Sequence, residues 1–175
     1  MSELTREKIQ DGIADTDNAS SVVKPYVMSH GTMECYSLKE SRKFYEEFLG
    51  LECVRQGKTA IFIRCGMKWH IVVVQAGQHV KPAHVHQHWG LEVASKAEVD
   101  DAHRKANELK DKYKIGKIHA PSLQHGVYSF YFEDLDHNWW EILYYDGFQH
   151  DDAFDFGDRF PMDEDVQTVS PEGVG

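Results

Sequence analysis

The stretch HGTMECYSLKE, residues 30–40, is repeated 58 residues further along the chain (88 − 30) as HWGLEVASKAE, residues 88–98. Both copies read H-x-x-x-E-x-x-S-x-x-E, so a histidine, a serine and two glutamates keep the same spacing. Chance agreement at four such positions is improbable. A repeat of this kind indicates two copies of one structural unit.

Each copy predicts the same order of secondary structure. The histidine begins a segment with strand character. A serine followed three residues later by a glutamate (Ser37 and Glu40, Ser95 and Glu98) forms a capping box that begins a helix. Strand-like segments follow, namely LECVRQG, TAIFIRCG and WHIVVVQ in the first copy, and GVYSFYFED and NWWEILYY in the second. The sequence therefore predicts an α+β fold of two βαβββ modules, which are expected to pair around a shared cleft.

The two modules are expected at residues 26–78 and 84–147, within a single domain that covers 26–147. Residues 1–25 are predicted to be a polar N-terminal extension and residues 148–175 an acidic C-terminal tail, because both have few periodic apolar positions. The sheet edges of small paired modules also favour a homo-oligomer.

Composition limits the classes of partner. The 175 residues carry a formal net charge of −10, which argues against nucleic acid, and no apolar run reaches the roughly 20 residues of a membrane span. The N-terminal residues lack the apolar segment of a secretory signal, which favours a cytoplasmic protein. The three cysteines form no CxxC pair and are expected to be reduced thiols, in a compartment that would suit a ferrous ion.

Three residues are candidate metal ligands. His30 and His88 occupy equivalent positions of the repeat, so they are expected to face each other across the cleft. Glu141 lies between Trp140 and Ile142, whose apolar side chains predict that the carboxylate points to the opposite face of its strand. A buried, unpaired carboxylate is costly, which favours a cation partner. Two histidines and one carboxylate form the ligand set of non-haem Fe(II) oxygenases, with Mn(II) or Zn(II) as alternatives.

Other histidines are distinguished by their position. In the run HVHQH, residues 84–88, only His88 has a partner in the repeat, so His84 and His86 are expected to be loop residues, as are His79 and His119. Aligning KWHIV with WWEIL places His70 opposite Glu141 and makes it a further site candidate.

The sequence resembles the vicinal oxygen chelate superfamily, which has the glyoxalase/bleomycin-resistance fold. Within that superfamily it is most similar to the catalytic domain of type I extradiol ring-cleavage dioxygenases. IFIRCGMKWHIVVV, HWGLEV and SFYFEDLDHNWWE carry the resemblance, which covers about residues 26–147. Leu135 and His137 stand where the family usually has a proline and a glycine, and SLQHG replaces its usual cluster of substrate contacts.

The resemblance implies an Fe(II)-dependent oxidoreductase of aromatic compound catabolism that cleaves the ring of a catechol-like diol with O2. Carried over to this sequence, the metal ligands are His30, His88 and Glu141, the acid/base is His70, and the further catalytic residues are Tyr131 and His125.

Alternatives of the same fold remain open at this point. They are a glyoxalase-like or epimerase-like metalloenzyme, a metal-dependent thiol transferase that acts on an epoxide antibiotic, and a small-molecule-binding resistance protein. The isomerases usually take a fourth ligand, a carboxylate or amide, from the first module. Gln75 is the nearest such residue after His70.

Overall fold

A computed structural model of the chain describes residues 22–23, 28–66, 68–124 and 126–145. The chain divides into two compact units, with the boundary between Val80 and Lys81. Each unit contains one four-stranded sheet, and the predicted α+β class and repeated order of elements are confirmed. The shared metal-containing cleft and the single domain stay predictions. The expected acidic tail, His125 and the expected N-terminal extension apart from Val22 and Val23 lie outside the described residues.

The first unit has the order βαβββ. It consists of β1 (His30–Cys35), α1 (Leu38–Glu47), β2 (Glu52–Arg55), β3 (Ala60–Arg64) and β4 (His70–Gln75), followed by a 3-10 turn (Gly77–His79). The strand order in the sheet is β1-β4-β3-β2, with β1 parallel to β4 and the other pairs antiparallel.

The second unit repeats this order with a longer helical segment. It consists of β5 (His88–Glu92), α2 (Lys96–Glu108), α3 (Lys110–Tyr113), β6 (Ser122–Gln124), β7 (Val127–Glu133) and β8 (Trp139–Tyr145). The strand order is β5-β8-β7-β6, again with a parallel first pair. The three-residue β6 had no counterpart among the predicted strands, because SLQ is too short to show an alternating pattern.

Alternation along the strands gives each sheet one buried face and one more open face. In the first unit the buried side chains are Met33, Cys35, Ile61, Ile63, Ile71 and Val73, together with Leu38, Phe44 and Tyr45 of α1. In the second unit Phe130, Phe132, Trp140 and Ile142 are buried, and Val99 and Ala106 are the buried residues of α2. Full burial of such a side chain contributes about 1.5–3 kcal/mol to stability. Because side chains alternate along a strand, burial of these residues determines which residues lie on the opposite, open face of each sheet.

One of the two predicted capping boxes is confirmed and the other is wrong. Ser95 Oγ accepts the backbone N–H of Glu98 at 3.3 Å, and the Glu98 carboxylate accepts that of Ala94 at 2.7 Å. Ser37 precedes α1 as predicted but makes no capping hydrogen bond through its side chain. Gln75 Oε1, from β4, accepts the Leu38 N–H at 3.0 Å instead. A residue distant in sequence thus replaces the local cap.

Candidate functional site

His88 and Glu141 come together on the open face of the second sheet. His88 begins β5, and Glu141 lies in the middle of β8, where it pairs with Gly90. His88 Nε2 lies 3.3 Å from Glu141 Oε2. Glu141 is only 8% exposed, and its neighbours Trp140 and Ile142 point to the helix-covered face, as the sequence predicted.

Two residues of β7 complete the surroundings of this carboxylate. Tyr131 pairs directly with Glu141, and its ring contacts His88 edge-on at a centroid distance of 5.0 Å. Ser129 lies two residues before Tyr131 on β7, and the hydroxyl groups of both residues act on the Glu141 carboxyl to lower its pKa. Burial acts to raise the pKa of the Glu141 carboxyl, but hydrogen bonds with His88, Ser129 and Tyr131 together hold it below its ordinary value. The group is therefore an anion held by surrounding donors.

The same contacts shift the pKa values of its partners. The hydrogen bond with Glu141 raises the pKa of His88, against the opposing effect of burial. Burial, and then the hydrogen bond to Glu141, raise the pKa of Tyr131. Tyr131 consequently keeps its proton near neutral pH and acts as a hydrogen-bond donor.

The pair has the donor chemistry of a divalent-metal site. His88 Nδ1 donates to Val85 O at 2.7 Å, which orients the ring and leaves Nε2 facing Glu141. When His88 is neutral, Nε2 and the carboxylate are both electron-pair donors, so a cation between them removes their repulsion. Two ligands at a right angle, each about 2.1 Å from a metal, are about 3.0 Å apart, close to the 3.3 Å observed. These residues fit a metal ion.

Gly90 leaves room beside this pair. A Cβ atom at Gly90 would lie 3.0 Å from Leu143 Cδ2 and 4.0 Å from Glu141 Oε2. Any larger residue would therefore press on the Leu143 side chain, which lies two residues after Glu141 on β8.

His30 and His70 lie level with each other on the open face of the first sheet. They are paired in the β1–β4 register, and their rings stack at a centroid distance of 5.8 Å. His30 Nδ1 lies 2.8 Å from Ser29 Oγ, and His70 Nδ1 lies 3.2 Å from Lys68 O. The His70 ring also stacks on Phe62 at 4.5 Å. Within the described part of the chain, the recorded hydrogen bonds of both imidazoles are made through Nδ1, and Nε2 faces no recorded partner.

The strand registers correct the alignment of His70 with Glu141. Glu141 pairs with Gly90, two residues after His88, whereas His70 pairs with His30 itself. The residue of the first sheet equivalent to Glu141 is therefore Val72, which pairs with Thr32. The alignment differs from the register by two residues. Because side chains alternate with a period of two, the predicted face of the strand for His70 is unchanged.

The other histidines considered in the sequence lie outside the His88–Glu141 and His30–His70 pairs. His84 and His86 are exposed and precede β5, with their rings 4.9 Å apart, and His79 ends the 3-10 turn. His119 lies in the loop before β6, as predicted, and is half-buried. Its ring lies 6.3 Å from that of Tyr131 and 5.2 Å from that of Trp139.

Ser129 and His119 are the site neighbours that sequence reasoning missed. Ser129 is 5% exposed and lies one alternation step from Tyr131, so the period of β7 was the available signal. His119 precedes β6 without a pattern of its own, and its backbone N–H bonds to Tyr131 O at 2.8 Å. Across residues 28–66, 68–124 and 126–145, no three His, Cys, Asp or Glu side chains form a cluster that could hold a metal. His88 and Glu141 are thus brought together, and His30 as third ligand stays a prediction.

Comparison with known proteins places this geometry in a family. The sequence model of the glyoxalase/bleomycin resistance protein/dioxygenase superfamily matches residues 29–142, which include all three candidate ligands. No curated protein matches the chain.

Solved structures agree with this assignment at the level of the fold. A lactoylglutathione lyase from Agrobacterium tumefaciens is 19% identical, with a TM-score of 0.51, and the match covers 70% of this chain and 96% of that one. The fosfomycin resistance protein FosX from Listeria monocytogenes is 19% identical, with a TM-score of 0.54 and coverage of 69% and 94%. A glyoxalase/bleomycin resistance protein/dioxygenase from Nocardioides is 13% identical, with a TM-score of 0.54 and coverage of 73% and 89%. The chain belongs to the glyoxalase/bleomycin resistance protein/dioxygenase superfamily.

Proposed function

We propose that the protein is an Fe(II)-dependent dioxygenase of the extradiol type, which cleaves the aromatic ring of a catechol-like diol with O2. The observation that carries the proposal is the His88–Glu141 pair, 3.3 Å apart, with the imidazole oriented by Val85 and the carboxylate held by Tyr131 and Ser129. We assign His30, at the equivalent position of the repeat, as the third ligand.

The composition of this ligand set favours an oxygenase over a four-ligand isomerase. Val72 occupies the position in the first sheet that corresponds to Glu141, so that position provides no ligand. Gln75, the other candidate for a fourth ligand, uses its side-chain oxygen to cap α1 at Leu38. Three protein ligands leave several positions of a six-coordinate ion for a chelating diol and O2.

A bound ferrous ion would supply the Lewis-acid and one-electron chemistry that the reaction of a diol with O2 requires. The chain's own groups would bind the diol and move protons. His70 holds its Nδ1 against Lys68 O, which leaves Nε2 to take a proton from a diol hydroxyl and later return it. Tyr131 keeps its proton and donates a hydrogen bond to a substrate oxygen. His125, which the family resemblance also assigns to catalysis, stays part of the proposal.

The test is metal analysis and oxygen uptake on protein purified without oxygen and loaded with Fe(II). We expect one iron per chain and, with catechols, oxygen uptake together with a yellow ring-cleavage product. Iron binding without oxygen uptake across a panel of catechols would overturn the dioxygenase assignment. Turnover of a thiol adduct without oxygen would place the protein with the isomerases or transferases instead.

Variants separate the proposed roles. His88→Ala should lose iron, whereas His86→Ala, a matched change at an exposed histidine two residues away, should keep both iron and activity. His70→Ala should keep iron but slow turnover by about 10²-fold or more, the usual loss on removing a general acid/base. Loss of iron from His86→Ala but not from His88→Ala would show that the ligand is wrongly assigned.

A further inference from the structure

A small cavity opens on the face of the first sheet that carries His70. Its volume is about 270 Å³, and its lining residues are Glu52, Val54, Phe62, Ile63, Arg64, Lys68 and His70. Pockets for drug-sized ligands usually measure roughly 300–1,000 Å³, so this cavity suits one small ring with a short substituent.

The rim of the cavity has an excess of positive charge. Arg64 donates through Nε and Nη2 to Glu52 Oε2, at 3.0 and 2.8 Å, and these contacts hold the pKa of the Glu52 carboxyl below its ordinary value. Glu52 Oε1 also accepts the Gly66 N–H at 3.3 Å, so the ion pair fixes the end of β3. Lys68 adds a second cation. Two cations thus stand against one carboxylate, in a chain whose overall formal charge is −10.

The floor of the cavity is flat and apolar. Phe62 stacks on His70 with an angle of 23° between the ring planes, and Val54 is 49% exposed on the neighbouring strand. Such surfaces bind the face or edge of an aromatic ring. His70, to which we assign proton transfer, therefore belongs to the same cavity as the charged rim.

We propose that this cavity is a specificity subsite for an aromatic substrate that carries one carboxylate. The ammonium of Lys68 pairs with the carboxylate, the neutralised Arg64–Glu52 pair shapes the rim, and Phe62 and Val54 hold the ring. The identity of the substrate as a diol rests on the proposed function. The preference for an anionic ring over its neutral counterpart rests on the cavity alone.

The experiment measures that preference across a charge series. 3,4-Dihydroxybenzoate and its neutral amide, 3,4-dihydroxybenzamide, are compared by anaerobic binding to the iron-loaded protein and by kcat/KM for oxygen uptake. The series is Lys68→Met, the natural protein and Glu52→Gln, in which the cavity gains one positive charge at each step. Lys68→Arg preserves the charge, and Lys39→Met removes an exposed lysine from α1 as the matched control.

We expect the natural protein to bind the acid more tightly than the amide. Lys68→Met should reduce the acid-to-amide ratio about threefold to tenfold, since one partly exposed charged contact is lost. Glu52→Gln should increase the ratio, and Lys68→Arg and Lys39→Met should leave it close to the natural value.

The two proposals fail in distinguishable ways. Equal binding of acid and amide, or an unchanged ratio in Lys68→Met, would overturn the subsite even if the protein cleaves both compounds. A charge-dependent preference in binding without oxygen uptake would retain the subsite and overturn the dioxygenase.

Discussion

Replacing Glu141 with glutamine separates its structural role from its role in binding a metal. The carboxylate is 8% exposed, and the hydroxyl groups of Ser129 and Tyr131 act as donors that lower its pKa. A glutamine keeps the shape of the side chain but removes its charge. Its amide NH2 group is a donor, so at least one neighbouring donor loses its acceptor.

The expected loss of stability without metal follows from that mismatch. Leaving one buried donor unsatisfied costs about 1–3 kcal/mol. For a chain of this size, each kcal/mol lowers the Tm by roughly 2–4 °C. With divalent metal at about 100 times the Kd, the natural protein gains about 2.7 kcal/mol. A tenfold weaker site in Glu141→Gln would gain about half of that at the same metal concentration.

The assay is thermal unfolding with and without Fe(II) or Mn(II) under anoxic conditions. Glu92→Gln is the matched control, because it removes an exposed carboxylate from the same face of the neighbouring β5. This control should keep the full metal-induced rise in Tm. If Glu141→Gln shows the same rise as the natural protein, Glu141 is not a ligand, and the stabilisation arises elsewhere in the chain.

Three further changes test the fold. Gln75→Ala should destabilise the protein by about 1 kcal/mol in urea unfolding by removing the cap of α1, whereas Ser37→Ala, which loses no capping bond, should change stability by less than about 0.5 kcal/mol. Lys114→Gly should raise the Tm. Lys114 has a left-handed φ of 54°, a conformation that costs a non-glycine residue about 1 kcal/mol and that glycine adopts freely. A lower Tm would contradict this prediction. Trp140→Phe should cost about 1–3 kcal/mol in the same unfolding assay, because it removes the 2.9 Å bond from Nε1 to the buried Asp134, and a neutral result would show that water replaces it.

The repeat predicted most of the fold because it reported local and periodic features. Strand alternation and the serine that precedes each helix depend on residues close in sequence. The cap of α1 could not be predicted in this way, because Gln75 approaches Leu38 from a strand 37 residues away. Ser37 satisfies the local rule, but a neighbouring strand provided the acceptor.

The sequence suggested individual site residues, such as His88 and Glu141, from their residue type and their position in the repeat. It did not suggest which residues surround them. The register partners of Glu141 depend on how β5, β7 and β8 pair, so the alternation of β7 could place Ser129 and Tyr131 on one face but could not place them beside Glu141. The same dependence on register explains why the sequence alignment matched Glu141 with His70 rather than with Val72. Aligning two sequence patterns does not determine which residues of the two sheets have equivalent strand partners.

The register also explains why two similar units can differ in chemistry. Two residues beyond the repeated histidine, the second unit pairs Gly90 with Glu141, whose carboxylate is buried. The corresponding row of the first unit has Thr32 beside Val72, which provides no charged ligand. The functional groups of the first unit lie instead around His70, level with its own repeated histidine and lining the cavity. Under the proposed function, the second unit provides His88 and Glu141 as ligands and Tyr131 as a hydrogen-bond donor, and the first unit provides His30 and His70.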